Sequence, residues 1–210
     1  MALAEVVDAL VPDGSTVAWE GVPVAVARAL LRRRGLTLVS TAPGVSGDLL
    51  VGAGCVDRLV TSAVAGPRIQ AALRSGLALE EHTATGMAAA YDAGAAGLPC
   101  GLLRGYTGTD LAAVTRVATV RCPFTGEQLA AVPALTPDVA IVHAPRADRI
   151  SPDRLPPLYA ARRALVVVDE DGGEAPWFAE VVRAEPDEDG WAELLADRAR
   201  FTAWLAQARA

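Results

Sequence analysis

The sequence predicts an α/β fold with an open, mostly parallel sheet flanked by helices. Segments with strand and helix periodicity alternate along most of the chain, and residues 165–168 form a continuous apolar run typical of a parallel strand covered on both faces. Residues 77–111 add a strand pattern, a helix of small residues and a second strand pattern, which together indicate a βαβ unit. No linker separates these segments, so we expect one domain over residues 1–210.

Periodicity and turn residues place each element in order. Gly35 ends one helix pattern, Gly97 ends another, and Pro12-Asp13-Gly14 marks a turn. The predicted helices cover residues 3–11, 24–34, 67–74, 83–96 and 191–208, the last of them amphipathic. The predicted strands cover residues 16–19, 36–40, 48–51, 58–62, 77–82, 100–103, 117–121, 128–132, 139–143 and 165–168, and residues 145–157 and 169–176 are predicted loops.

Charge and hydropathy exclude two classes of partner. The net charge is −6 and the pI is about 5.0, so the clustered basic surface that binds nucleic acid is not expected. No window reaches the ~20 uncharged apolar residues of a membrane span, and the first ten residues include acidic but no basic ones. Cys55, Cys100 and Cys122 are widely spaced and odd in number, which indicates reduced thiols. We therefore expect a cytoplasmic protein that binds neither nucleic acid nor membrane.

Two residue types are absent from the chain, and their absence narrows the chemistry. Without lysine there is no Schiff base, pyridoxal-phosphate anchor or Walker A lysine, and without asparagine there is no Cys-His-Asn triad. The only histidines, His82 and His143, are far apart in the sequence, so we expect no metal site.

Three blocks of sequence carry a family resemblance. They are residues 77–111 (LALEEHTATGMAAAYDAGAAGLPCGLLRGYTGTDL), 121–133 (RCPFTGEQLAAVP) and 137–149 (PDVAIVHAPRADR). Their order within residues 3–170 resembles the A-type chain of family I coenzyme A transferases, especially the glutaconate-type and steroid-ring-opening branches. The residues of the first block that fit are Glu81, Gly86, Met87, Ala88, Tyr91, 93–99, Arg104, Tyr106 and Gly108.

The resemblance implies a fold of the CoA-transferase type and a reaction shared between two chains. In such enzymes a glutamate of the B-type chain, in a motif similar to Ser-Glu-Asn-Gly, attacks an acyl-CoA thioester and later holds CoA as an enzyme thioester. This chain has no asparagine and cannot contain that motif. We therefore expect a B-type partner in a heterodimer or heterotetramer, a CoA thioester as substrate, and no permanently bound cofactor.

A turn after the first predicted strand is the expected oxyanion region. The resembled family has a Gly-rich turn here, which Glu20, Gly21 and Val22 match, although the chain then continues straight into Pro23 and a helix. Backbone N–H groups at Gly21 could bind an oxyanion or a CoA phosphate. An ordinary tight strand-to-helix turn is an equally good interpretation of the same residues. On the first interpretation Glu20 is a candidate catalytic residue, and Gly21 and Val22 contact substrate.

The remaining candidates lie in the resembled blocks. Glu81 is the nearest candidate for a functional carboxylate, and the alternative is a structural cap for the following helix. Thr85 and Gly86 belong to the same expected substrate region, as does Arg104. The ring-opening branch resembles this segment but carries a carboxylate where this chain has Thr85, which disfavours a ring-opening hydrolase.

His143 ends a predicted strand at the edge where open parallel sheets bind ligands, and a hydrogen-bonded structural histidine is the alternative. These residues together favour the A-type subunit of a CoA transferase or related CoA-thioester enzyme. The alternatives are a non-catalytic, degenerate subunit that stabilises its partner, and a subunit of a CoA-ester ring-opening hydrolase.

Overall fold

The computed structural model describes residues 2–106, 108–184 and 189–209, which form a seven-stranded sheet and a smaller three-stranded sheet. The large sheet has the order β10-β9-β8-β1-β2-β3-β4, and all of its neighbouring strands are parallel. The small sheet has the order β5-β7-β6 and is antiparallel. The strands are β1 (Thr16–Glu20), β2 (Leu36–Ser40), β3 (Val56–Thr61), β4 (Ala78–Glu81), β5 (Cys100–Leu103), β6 (Ala118–Arg121), β7 (Gln128–Pro133), β8 (Val139–Ala144), β9 (Arg163–Val168) and β10 (Ala179–Arg183).

Helices cover both faces of the large sheet, so the predicted α/β class and the open, mostly parallel sheet are confirmed. They are α1 (Leu3–Leu10), α2 (Val24–Ala29), α3 (Gly44–Gly52), α4 (Pro67–Arg74), α5 (Ala84–Ala95), α6 (Leu111–Val114), α7 (Leu155–Ala160), α8 (Trp191–Ala196) and α9 (Arg198–Ala208), with a 3-10 turn at Pro152–Arg154. None of the helices in the described ranges is long and apolar enough to cross a membrane.

The alternation of side chains along β1 divides the core into two layers. Val17 and Trp19 are fully buried against one set of helices, whereas Ala18 is buried against α5 and α7 on the opposite face. Each large apolar side chain buried in this way stabilises the fold by about 1.5–3 kcal/mol. The small Ala18 leaves room on its face for Met87 and Tyr91 of α5.

Three sequence predictions about these elements are wrong. Residues 48–51 are not a strand but lie inside α3, because a short run that is buried on all sides gives no periodicity to separate helix from strand. The predicted βαβ unit does not exist: β5 pairs antiparallel with β7 in the small sheet, and periodicity does not reveal a strand's partner. The predicted helix over 191–208 is two helices, and Asp197 caps α9 by accepting from the amides of Ala199 and Arg200.

The connection order creates a switch point beside β1. The chain runs from β1 outward to β4 on one side, forms the small sheet, and returns to pair β8 with the other side of β1. At the start of this pair the Thr16 amide donates to the carboxylate of Asp138 and the Asp138 amide donates to the carbonyl of Thr16, both at 2.9 Å. In open parallel sheets the carboxyl ends of strands at such a point form a crevice where ligands bind.

Candidate functional site

A cavity of about 510 Å³ lies at the carboxyl ends of β1 and β2. The two strand ends contribute its floor, one face of α5 forms a wall, and the segment around the 3-10 turn forms another. Its lining residues are Glu20, Thr41, Ala84, Ala88, Tyr91, Asp92, Pro152, Asp153 and Pro156. Small residues at positions 84 and 88, four apart on one helical face, keep the space between α5 and the sheet open.

Glu20, the last residue of β1, is the half-buried carboxyl group of this cavity. Its Oε1 accepts a hydrogen bond from the Thr41 amide at 2.8 Å and another from the Thr41 hydroxyl at 3.2 Å. Burial raises the pKa of Glu20 to about 7, and the Thr41 hydrogen bonds and the charge of Arg154 offset that rise only in part. The carboxyl group is therefore divided between its neutral and charged forms near neutral pH, and in the neutral form the proton sits on Oε2 because Oε1 accepts both donors.

Tyr91 forms part of the wall from inside α5. The side chain is buried, and its hydroxyl donates to the carbonyl of Val39 at 3.2 Å. Burial raises the pKa of Tyr91 well above its usual value, and the nearby charge of Glu20 raises it further. Tyr91 therefore stays neutral, and its hydroxyl is already engaged as a donor.

Gly21 follows Glu20 in a left-handed conformation, with φ of +68°, as a non-glycine residue rarely would be. The guanidinium of Arg154 packs against it so closely that a Cβ at Gly21 would lie 2.7 Å from Arg154 Cζ. The same guanidinium donates to the backbone carbonyl of His143, at the end of β8. Arg154 therefore bridges the carboxyl ends of β1 and β8 across the switch point.

Val22 and His143 lie beside the cavity but do not line it. Val22 is buried in the core, and its carbonyl accepts a 2.5 Å hydrogen bond from the Ser46 hydroxyl. The His143 ring contacts Asp169 through Nε2 and Oδ1 at 2.9 Å. Among the described residues, His143 is connected to the cavity through its carbonyl and Arg154.

The candidates around α5 are likewise separate from the cavity. Glu81 is half-buried at the end of β4, while its neighbour Glu80 points to the opposite, buried side, as the strand period predicts. Thr85 is exposed and lies 3.1 Å from the Thr83 hydroxyl. Gly86 is buried under Tyr106, and Arg104 is exposed in an ion pair with Glu127 at 2.9 Å.

Sequence reasoning did not single out several residues of the site, among them Thr41, Asp153 and Arg154. Thr41 directly follows the strand predicted at residues 36–40, so its position at a strand end could have indicated it. Asp153 and Arg154 lie in a segment that the sequence predicts only as a loop. Nothing in the local pattern indicates that this loop would fold over Gly21.

No three His, Cys, Asp or Glu side chains come together as a set of metal ligands within residues 2–106, 108–184 and 189–209. The polar groups that line the cavity are carboxyl, hydroxyl and backbone groups. Burial raises the pKa of the lining residue Glu20 to about 7, which marks it as a candidate functional group.

Comparison with known proteins places this chain in a family. Residues 1–151 match the family described as coenzyme A transferase. The chain is 34% identical to the A-type chain of the 3-oxoadipate CoA-transferase of Pseudomonas knackmussii, over 98% of this chain and 91% of that protein.

Solved structures share the fold. Glutaconate coenzyme A-transferase from Acidaminococcus fermentans superposes with a TM-score of 0.83 at 20% identity, over 99% of this chain and 87% of that one. A variant of the decarboxylase AibA/AibB gives a TM-score of 0.75 at 26% identity, over 100% of this chain and 92% of that one. These matches confirm the family resemblance drawn from the sequence, and the chain belongs to the coenzyme A transferase family as a homologue of its A-type chains.

Proposed function

We propose that residues 1–210 act as one domain, the A-type subunit of a heteromeric enzyme that transfers CoA between carboxylic acids. The nucleophilic glutamate is supplied by a B-type partner in a heterodimer or heterotetramer. The absence of asparagine supports this division, because a Ser-Glu-Asn-Gly motif cannot occur in this chain. The Pseudomonas relative, which is itself an A-type chain and is 34% identical, supports it independently.

The observation that carries the proposal is the Glu20 carboxyl group beside the cavity. When the partner's glutamate attacks an acyl-CoA thioester, the thioester oxygen becomes an oxyanion that needs a hydrogen-bond donor. In its neutral form Glu20 donates from Oε2, while Thr41 holds Oε1 and so fixes the orientation of the carboxyl group. A carboxyl group with an ordinary pKa would be ionised near neutral pH and would repel the oxyanion.

The charges around the cavity define what it accepts. Three lining residues are acidic, Glu20, Asp92 and Asp153, and none of the described lining residues is basic. The CoA phosphates are therefore held outside this cavity, and the neutral thioester is the part that enters. Arg154 acts from behind Gly21, where its charge limits the rise in the pKa of Glu20.

The proposed roles of these residues differ from those expected from the sequence. We propose that Gly21 seats the Arg154 guanidinium, since that group occupies the space beside its α-carbon. Glu81, Thr85 and Arg104 do not line the cavity, so the proposed chemistry rests on Glu20 and not on them.

Decarboxylation is a second candidate reaction. The decarboxylase AibA/AibB matches the whole of this chain at 26% identity. A protonated carboxyl group beside the thioester would also serve that reaction, because the enolate left by loss of CO₂ carries its charge on the same oxygen.

One assay separates transfer from hydrolysis and from decarboxylation. The chain is co-expressed with the B-type protein of a neighbouring gene, and the purified pair is given an acyl-CoA and an acceptor acid. Transfer produces the acceptor's CoA ester, hydrolysis releases free thiol, and decarboxylation releases CO₂. We expect transfer by the pair, none by either chain alone, and a loss of about 10²-fold in the Glu20→Ala pair.

Glu180→Ala is the matched control, because Glu180 is exposed on β10, away from the cavity. Transfer by the lone chain at the rate of the pair would contradict the proposed division between subunits. An active pair that is indifferent to Glu20→Ala would remove Glu20 from the mechanism and favour a non-catalytic role for this chain.

A further inference from the structure

A line of hydrogen bonds runs from the end of β4 to the first turn of α5. Glu80 Oε1 lies 3.0 Å from His82 Nε2, and His82 Nδ1 lies 3.0 Å from the Tyr106 hydroxyl. The Tyr106 hydroxyl also accepts a hydrogen bond of 2.9 Å from the Thr83 amide. Glu80, His82 and Tyr106 are all buried, so water does not compete for these contacts.

An arrangement of protons in which all donors are aligned satisfies these contacts. The Thr83 amide can only donate to the Tyr106 oxygen, so the Tyr106 proton is free to go to His82 Nδ1. When Nδ1 accepts this proton, the ring proton lies on Nε2 and is donated to Glu80. In this arrangement the donors point in one direction, from the backbone of α5 to a carboxylate.

Glu80 is held ionised at the end of this line. Burial alone would raise its pKa, but the hydrogen bonds from His82 and Arg58 and the charge of Arg116 outweigh burial and lower it. Arg58 contacts Oε2 directly, and Arg116 lies 3.5 Å from the same oxygen. The carboxylate is therefore a fixed negative anchor for the histidine.

Tyr106 keeps its place in a conformation unusual for a tyrosine. Its φ is +73°, which costs of order 1–3 kcal/mol for a non-glycine residue. The hydroxyl also fills the space beside Gly86, where a Cβ would lie 2.8 Å from Tyr106 Cζ. Such strain persists only where surrounding contacts determine the position of the residue.

The far end of the line is the N-cap of α5. The Thr83 hydroxyl accepts from the Gly86 amide at 3.0 Å, and the Thr83 carbonyl accepts from the Met87 amide at 3.0 Å. Ala84 and Ala88 of the same helical turns line the cavity that contains Glu20. A movement of Thr83 would therefore move the cavity wall.

We infer that Glu80, His82 and Tyr106 are positioning residues that set the distance between the first turn of α5 and the Glu20 carboxyl group. They are not assigned contact with substrate, because all three side chains are buried and none lines the cavity. Their effect on turnover rests on the proposed function, whereas their effect on α5 does not. The two parts are therefore measured separately.

Hydrogen exchange in the full chain, alone and with its partner, tests the structural part. Tyr106→Phe keeps the ring but removes the acceptor of the Thr83 amide and the donor to His82. We expect exchange at the amides of residues 83–87 to accelerate about five-fold or more, as loss of one hydrogen bond implies, while α4 is unchanged. Tyr159→Phe is the control, because Tyr159 is exposed on α7.

The kinetics of the assembled pair test the positioning part. We expect KM for acyl-CoA to rise several-fold in Tyr106→Phe and in His82→Gln, with a smaller change in kcat, because the wall and not the reacting group is displaced. The double variant should be no worse than the worse single variant, since both break one line.

Unchanged exchange at residues 83–87 would overturn the inference, whatever the activity of the pair. Faster exchange with unchanged KM and kcat would reduce the line to a helix cap and overturn the positioning role. A pair that lacks CoA-transferase activity but shows faster local exchange would contradict the proposed function and leave the α5 anchor supported.

Discussion

Glu20 Oε1 accepts two hydrogen bonds from one residue, Thr41, whose amide and hydroxyl lie 2.8 and 3.2 Å away. Thr41 directly follows β2, and Glu20 is the last residue of β1. The parallel pairing of the two strands therefore brings these two residues together. One carboxyl oxygen is thereby held by the backbone, and the other is left to exchange a proton. The pKa of about 7 for this group has consequences for both turnover and stability.

The first prediction concerns the pH dependence of turnover by the assembled pair. If neutral Glu20 is the donor, kcat/KM should fall as the pH rises through about 7, because the proton is lost. Glu20→Gln keeps an N–H donor that does not titrate, so its profile should lack that fall. Steady-state rates from about pH 5.5 to 9 measure both profiles. The same descending limb in Glu20→Gln would assign it to another group.

The second prediction concerns stability. Folding raises the pKa of Glu20 from 4.5 to about 7, so the folded chain holds a proton that the unfolded chain has lost between these values. The free energy of unfolding should therefore fall as the pH rises through this window, by up to about 3 kcal/mol from this group. Glu20→Gln abolishes that loss. Urea unfolding of both proteins at about pH 5 and pH 8 tests it, and an identical pH dependence would contradict it.

The third prediction uses two glycines with the same backbone angle. Gly21 and Gly97 both have φ of +68°, but only Gly21 is packed against a neighbour, Arg154. Gly97→Ala should cost about 1–2 kcal/mol of stability from strain alone. Gly21→Ala should cost more and should also lower turnover of the pair, because the guanidinium must move. If Gly21→Ala and Gly97→Ala had the same effect on stability and the same effect on turnover, the contact between Gly21 and Arg154 would have no consequence.

The fourth prediction reverses a common expectation for helices. Replacing a glycine inside a helix with alanine usually stabilises it by about 0.5–1 kcal/mol. Gly94 of α5 is different, because a Cβ there would overlap the carbonyl oxygen of Leu135. We expect Gly94→Ala to destabilise by about 1–3 kcal/mol. Gly105→Ala, where the nearest neighbour is a Leu103 methyl group at 3.6 Å, is the control in thermal unfolding.

The fifth prediction concerns association. Phe124 is 94% exposed and Trp177 is 95% exposed, which is unusual for large aromatic side chains. The chain is also 52% hydrophobic. We expect a heteromer with the B-type partner in sedimentation and self-association of the chain without it. A stable monomer at high concentration would contradict this. Phe124→Ser and Trp177→Ser show which surface is responsible.

The sequence predicts the bounds of helices and strands well where glycine or proline marks their ends. The strand over residues 36–40 and the helix over residues 67–74 have the predicted bounds, since Gly35 precedes the first and Pro67 begins the second. Prediction failed where burial removes the pattern, as in α3, and where the partner of a strand decides its sheet, as for β5. The pairing partner of a strand depends on contacts between residues that are distant in the sequence, which a local pattern does not contain.

The same limit applies to the candidate site. Glu20 could be identified from the family resemblance and from its place at a strand end. Arg154 could not be identified in this way, because it is far from Gly21 in the sequence and reaches it only when its loop folds over Gly21. The buried line through His82 could not be predicted either, because neighbouring residues Glu80 and Glu81 differ only in the face of β4 on which they lie.

The pairing of β1 with β8 also sets the order in which the protein can fold. Thr16 and Asp138, which join the two strands, are 122 residues apart, so their contact closes a loop of more than half the chain. During synthesis β1 can pair with β2, but its other edge stays open until β8 emerges. Closing this distant pair late is expected to limit the folding rate and to leave one edge of the nascent sheet available for wrong pairing.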